Sequence, residues 1–157
     1  MTINIRDAKE NDITSLFPLV QDFATSFKVE EDKFKSAFQS LVENTDAKIL
    51  IAQESDETIG YCLGFIHHTF YANGKVAWLE EIMVPQSHRR SGVGEILMKH
   101  YENWAVSEDA KLNALATRRA SKFYEAIEYQ ASATYYRKRL LQPDSPTFLF
   151  SINPKHN

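Results

Sequence analysis

Val84-Pro85-Gln86-Ser87-His88-Arg89-Arg90-Ser91-Gly92-Val93-Gly94 is the stretch on which the reading of this chain turns. Pro85 has no amide hydrogen for a sheet ladder and holds Val84 extended, so a strand running up to Val84 stops there. A basic loop from Gln86 to Ser91 follows. From about Gly92, a helix places Val93, Leu97, Tyr101 and Trp104, with His100, on one face. The first turn of a helix leaves amide hydrogens unpartnered and carries partial positive charge, and glycine lets a ligand approach the backbone. Strand, basic glycine loop and helix together specify a place for a diphosphate. Two familiar nucleotide loops are excluded: there is no Gly-Lys-Ser/Thr ending, and Leu97 stands where a dinucleotide fingerprint needs its third glycine.

Upstream of this loop the periodicity is that of strands. Ile49 to Ala52 is a short apolar run, Thr58 to Tyr71 is β-branched and aromatic, and Lys75 to Val84 leads into the proline. Glu54 to Glu57 reads as a polar turn and Asn73-Gly74 as a hairpin, giving an antiparallel meander. Further back, Ile3 and Ile5 alternate with polar neighbours as a first strand. Asp12 offers an N-cap to a helix carrying Leu16, Leu19, Val20 and Phe23. Glu30, Glu31 and Asp32 open a second helix with a stripe of Phe34, Phe38, Leu41 and Val42. Downstream, Leu112 to Ala116 predicts a strand, Ala120 to Ile127 a helix and Ala133 to Leu140 a last strand. The expected fold is α/β (α+β): a mixed, twisted, largely antiparallel sheet of about six or seven strands with helices on both faces.

Composition narrows the class. The 157 residues are 43% hydrophobic and 25% charged, ordinary for a folded chain, with no repeat or linker, so one domain over 1–157 is expected. Lys and Arg number 18 against 21 Asp and Glu, so nucleic acid is not an expected partner. Cys62 is the one cysteine, which excludes an internal disulfide and a cysteine metal cluster. No apolar run reaches membrane-spanning length, and Arg6, Asp7, Lys9, Glu10 and Asp12 interrupt any signal-type segment, pointing to a cytoplasmic protein with no membrane partner.

A second motif lies downstream: Thr117-Arg118-Arg119-Ala120-Ser121-Lys122-Phe123-Tyr124-Glu125-Ala126-Ile127-Glu128-Tyr129. With Arg89-Arg90-Ser91-Gly92-Val93-Gly94 it resembles the GNAT superfamily of acyl-CoA-dependent N-acyltransferases. That family pairs Gln/Arg-x-x-Gly-x-Gly/Ala with a later Asn-x-x-Ala-x-x-apolar-Tyr-Glu-x-apolar-Gly-Phe. The opening Ile5-Arg6-Asp7-Ala8, then Asp12-Ile13, is similar to its first strand and helix, so the resemblance spans nearly the whole chain. Two departures stand out. Thr117 replaces the frequent Asn, and Glu128 replaces a glycine that lets the helix end left-handed, a change worth on the order of 1 kcal/mol or a different turn.

The resemblance implies acetyl-CoA as cosubstrate, with no metal. Its diphosphate would sit on the amides of Arg89, Arg90, Ser91, Gly92, Val93 and Gly94, and its pantetheine arm would run along Ile82, Met83 and Val84. An amide near Met83 would polarise the thioester carbonyl. Tyr124 matches the family tyrosine that protonates the departing thiolate. A lysine-like amine has a pKa near 10.4, so transfer at neutral pH calls for a base. Strand alternation groups Glu80 with Trp78, Ile82 and Val84, the face on which the family's bases lie, and selects Glu80; a bulge would shift the phase and favour Glu81.

The expected activity is acetyl transfer to a primary amine in a ternary complex. Glu80 and Glu81, with the Glu30-Glu31-Asp32 run, suggest a small cationic acceptor: a polyamine, an aminoglycoside-like sugar amine or a lysine side chain. Glu81 and His67 are candidates for the acceptor pocket, His67-His68 being placed so that one of the two points inward. The alternative is a non-catalytic acyl-CoA-binding or sensing module, disfavoured because candidate base and acid are both present. A homodimer is a family-level expectation. Cys62, Tyr101 and Trp104 read as core, and Tyr135-Tyr136-Arg137-Lys138-Arg139 as a late strand with solvated cations.

Overall fold

In the computed structural model, residues 2–140 are described. They form β1 (Ile3–Asp7), α1 (Ile13–Phe23), α2 (Glu31–Glu43), β2 (Ala47–Glu54), β3 (Glu57–His68), β4 (Lys75–Met83), α3 (Val93–Ser107), β5 (Ala110–Leu115) and α4 (Ser121–Ala126). The five strands make one sheet in the order β1-β2-β3-β4-β5. The first four pair antiparallel, and β5 joins β4 in parallel after the α3 crossover.

Alternation along the strands builds two cores. Ile49 and Ile51 of β2, with Tyr61 and Leu63 of β3, face Leu16 and Leu19 of α1 and Phe38 of α2. Leu50, Ala52, Cys62, Ala77 and Leu79 face Val93, Leu97, Met98, Tyr101 and Ala105 of α3, with Tyr124 of α4. The sheet is thus covered on both sides. Gly64 is required by one of these contacts, since a Cβ there would run into the fully buried ring of Tyr101.

Several sequence expectations are corrected. Five strands stand where six or seven were expected, because residues 133–140 are not a strand: they are exposed and find no ladder partner among the described residues. Side chains hold this segment instead. Tyr135 stacks on Trp78, Arg137 bonds Ser26, and the Arg139 guanidinium lies over the Phe27 ring. The hairpin after β3 is a longer loop closed by Thr69 and Gly74, with Asn73 left-handed, so β3 ends at His68 rather than Tyr71.

Asp12 does not cap α1 with its side chain. It is buried, and its carboxylate accepts two bonds from Arg6 and one from the Lys9 amide. The Arg6 guanidinium, opposing the effect of burial, holds that carboxyl below its ordinary value and pins β1 to the start of α1. His100 is exposed rather than on the buried face of α3, where Met98 and Ala105 stand instead. His67 and His68 are both exposed at the end of β3, where the strand has run past the helices that would cover it.

Candidate functional site

After β4, Pro85 starts a 3-10 turn at Gln86–His88, and Arg89 returns to extended backbone. Arg90 and Gly92 are both left-handed, at φ 63° and 84°, and α3 begins at Val93. A left-handed Gly92 costs little, whereas a side chain there is strained. The Ser91 hydroxyl donates to the His88 carbonyl, and Arg89 Nε donates to the Val84 carbonyl at 3.0 Å, which ties the loop to the strand end. The first helical bond is Ile96 N–H to Gly92 C=O, so the amides from Val93 to Glu95 precede the intrahelical ladder. Two left-handed residues, Arg90 and Gly92, followed by a helix N-terminus offer a set of amide donors suited to an anion. Gly94 lets α3 approach α4, since a Cβ there would stand 3.3 Å from the Phe123 ring.

The end of β4 is irregular on both edges. Leu63 of β3 pairs with Glu81 and Gly64 with Leu79, so Glu80 is an extra residue, a β-bulge. The side-chain phase therefore slips. Leu79 and Ile82 pack on the α3 side, while Met83 packs on the α1/α2 side and Glu81 opens into a cavity there. Trp78, opposite Phe65, shares that second face, so Trp78 and Ile82 stand on opposite sides of the sheet. On the other edge, β5 pairs with β4 only as far as Leu79 and Leu115. Beyond it, the β5-facing edge of residues 80–83 is open among the described residues.

The cavity between α1, α2 and the sheet measures about 320 Å³. Leu16, Val20, Phe34, Phe38 and Leu63 line it, with Glu81 and Tyr61 in the wall. The Tyr61 hydroxyl donates to Glu81 Oε1 at 2.8 Å. Burial pushes the Glu81 carboxyl above its ordinary value, the Tyr61 bond opposes that, and the neighbouring Glu80 charge adds to it. Burial also drives the Tyr61 phenol far up, so it keeps its proton and acts as a donor. Glu80 is exposed and accepts from Trp78 Nε1 at 2.8 Å. Of the acidic run at the start of α2, Glu30 shares the cavity lining with Lys28 and Lys33, and Glu31 pairs with Lys35.

Tyr124 lies in the core on the α3 side, edge-on to Phe123 and Tyr129. Burial pushes its hydroxyl up to about 12, so it is protonated at neutral pH. The helix carrying it ends in a Schellman turn: Tyr129 N–H bonds Tyr124 C=O and Glu128 N–H bonds Glu125 C=O, with Glu128 itself left-handed at φ 72°. The expected glycine position is thus filled without a change of turn. Thr117 Oγ1 accepts from the Ala120 amide, a local role at the start of α4. His67 is not part of the cavity wall, and Cys62 is buried with its thiol pushed up to about 12, which suits packing rather than nucleophilic chemistry. Among the described residues, no group of three or more His, Cys, Asp or Glu side chains gathers as for a metal.

Tyr61 was not singled out in the sequence. Its only signal there is a phenol inside an apolar strand, and the link to Glu81 depends on strand pairing across 20 residues. The apolar cavity was equally hidden, because its walls come from two helices and two strands distant in the chain.

Residues 13–129 match the acetyltransferase (GNAT) family. Over 134 residues the chain is 28% identical to YhfO of Bacillus subtilis (strain 168), described as an uncharacterized N-acetyltransferase, covering 82% of this chain and 90% of that protein. A solved transcriptional regulator from Bacillus halodurans C-125 superposes with a TM-score of 0.81 at 19% identity, over 88% of this chain and all 100% of that one. Glucosamine-6-phosphate N-acetyltransferase from Arabidopsis thaliana superposes at 0.79 and 19% identity, over 88% and 99% of the two chains. At such identities the superpositions speak for the fold and the family match for the class of protein.

Proposed function

The chain belongs to the acetyltransferase (GNAT) family and is an acyltransferase, and from that premise we propose that it transfers the acetyl group of acetyl-CoA to a primary amine by direct attack, with Glu81 as base and Tyr124 as proton donor. The observation that carries this reading is the bulge at Glu80, which turns Glu81 into the cavity just where β4 loses its β5 partner. Acetyl-CoA supplies the acyl group as a thioester. The open edge at Ile82, Met83 and Val84 suits the amides of an extended arm, paired as an added strand would be. The amides from Arg90 to Gly94 suit its diphosphate, the Arg89 amide being bonded to the Gln86 carbonyl. Arg89 spends Nε on Val84, which leaves its terminal N–H groups for a phosphate, and Arg90 adds charge.

The acceptor arrives mainly as an ammonium, which a carboxylate attracts and can deprotonate. Glu81, with its proton affinity raised by burial, is a stronger base than an exposed carboxylate and works closer to neutral pH. Glu81 passes that first proton to water; the free nitrogen then bonds to the acetyl carbon, the carbon–sulfur bond breaks, Glu81 takes the second proton lost by nitrogen, sulfur takes one from Tyr124, and water restores the proton of the phenol. A thiolate formed beside Tyr124 would meet the desolvation that raises the phenol, and its own proton affinity would rise with it. Exposed Glu80, chosen by simple alternation, is the competing base.

Release of free thiol from acetyl-CoA across a panel of primary amines tests this function. Amine-dependent release that is lost in Glu81→Gln supports it. Folded protein that binds CoA by calorimetry yet releases no thiol with any amine overturns it.

A further inference from the structure

Resting on that acetyl-transfer reading, we infer that the acceptor is a primary amine on a compact apolar body, an arylalkylamine or branched alkylamine, whose hydrocarbon part fills the α1/α2 cavity while its nitrogen meets Glu81. The cavity wall is mostly hydrocarbon: Leu16, Val20, Phe34, Phe38 and Leu63 surround the space. Its volume of about 320 Å³ is roughly twice that of a protein cavity known to take up benzene, room for a phenyl ring and a short alkyl arm. Glu81 is the carboxylate set in the wall against Tyr61, so one cationic nitrogen is matched.

The same wall disfavours polycations and sugars. The remaining charges of the lining are Glu30 with Lys28 and Lys33, which cancel any further attraction for cations. A polyamine would place its second ammonium against leucine and phenylalanine side chains, and an unpaired buried charge is strongly disfavoured. An amino sugar would bring several hydroxyls, and the phenol of Tyr61 is already committed to Glu81. Specificity of this kind depends on shape and hydrocarbon contact, with a single charged anchor.

The test uses the whole chain with saturating acetyl-CoA and compares ethylamine, isoamylamine, 2-phenylethylamine, spermidine and glucosamine by thiol release. The expected order has kcat/KM for 2-phenylethylamine at least about tenfold above ethylamine, spermidine and glucosamine, the scale at which a hydrophobic pocket discriminates. Ala37 of α2 is solvent-exposed and lines the cavity, so Ala37→Phe narrows the space with little threat to the fold. It is expected to lower the ratio of 2-phenylethylamine to ethylamine by about tenfold. Preference for spermidine or glucosamine, or an unchanged ratio in Ala37→Phe, overturns the inference while leaving acetyl transfer intact. Absence of thiol release with every amine overturns the transfer reading instead. Calorimetric titration with 2-phenylethylamine in the presence of CoA then decides the pocket: saturable binding weakened by Ala37→Phe upholds its apolar-amine character, and no binding overturns it.

Discussion

Tyr61 of β3 donates its hydroxyl to the Glu81 carboxylate of β4 at 2.8 Å, inside the wall of an apolar cavity. The pair sets two opposing influences on one group. Burial raises the proton affinity of Glu81, and the phenol lowers it. The phenol engages one of the two carboxylate oxygens, Oε1. Glu80, one residue earlier, has neither the burial nor the phenol and is occupied by the Trp78 indole.

Glu81→Gln is therefore expected to lower kcat/KM for amine acetylation by about 10²–10⁴, the range that a general base contributes. Glu80→Gln is expected to stay within a few-fold of the parent. Steady-state thiol release on both variants checks this, and the opposite ranking moves the base to Glu80.

The same substitution has a stability signature of determined sign. A carboxyl with a raised folded value binds more protons folded than unfolded, so its contribution to stability is greatest at low pH. That contribution is lost as pH rises from the unfolded value towards the raised folded one. Glu81→Gln keeps an acceptor for Tyr61 and removes the buried charge. Its melting temperature is expected to exceed that of the parent at neutral pH, with the gain vanishing below the ordinary carboxylate value of about 4.3. Melting curves across that window that run parallel for the two proteins contradict the assignment of a buried, charged Glu81.

Tyr61→Phe removes the one influence that lowers Glu81. Glu81 then holds its proton to higher pH, and the acid limb of the kcat/KM profile is expected to move upward, with activity recovering above it. A profile across about pH 5–9 reads this directly. A limb that stays in place, or moves down, separates Tyr61 from the base.

Tyr124 carries a phenol pushed up to about 12, so it enters the reaction protonated. Tyr124→Phe keeps the ring packing against Phe123 and Tyr129 and removes the proton. Turnover is expected to fall by about 10²-fold or more while CoA affinity by calorimetry holds. Unchanged turnover takes Tyr124 out of the donor role.

Glu128 sits at the left-handed position of the Schellman turn after α4, at φ 72°. Glu128→Gly is expected to stabilise the fold by about 1 kcal/mol, or roughly 2–4 °C in melting temperature for a chain of this size. Thermal unfolding followed by circular dichroism checks it, and a lower melting point means that the unfolded-state entropy of glycine outweighs the relief of strain.

Much of the architecture was legible because its signals are local. Pro85 ends β4, the glycines at 92 and 94 open α3, and the apolar stripe of Leu16, Leu19 and Phe38 marks the two helices that cover one face. The misplacements share a cause. Ala133 to Leu140 carries strand-like residues, but a strand exists only where a partner offers a ladder, and β5 offers none to it among the described residues. Asp12 has the right side chain for a cap, but Arg6 from the neighbouring strand end takes it first.

Contiguous residues by themselves determined the family, the strand–loop–helix cradle from Val84 to Gly94 and the motif holding Tyr124, because backbone turns and helix starts obey rules that act within a few residues. Which of two adjacent glutamates opens into the cavity was decided only in three dimensions. An extra residue in the β3–β4 ladder reverses side-chain direction, and that register depends on hydrogen bonds between segments some 20 positions apart. The cavity is non-local for the same reason: residues from Leu16 to Phe38 meet Tyr61, Leu63 and Glu81 only once the helices dock on the sheet.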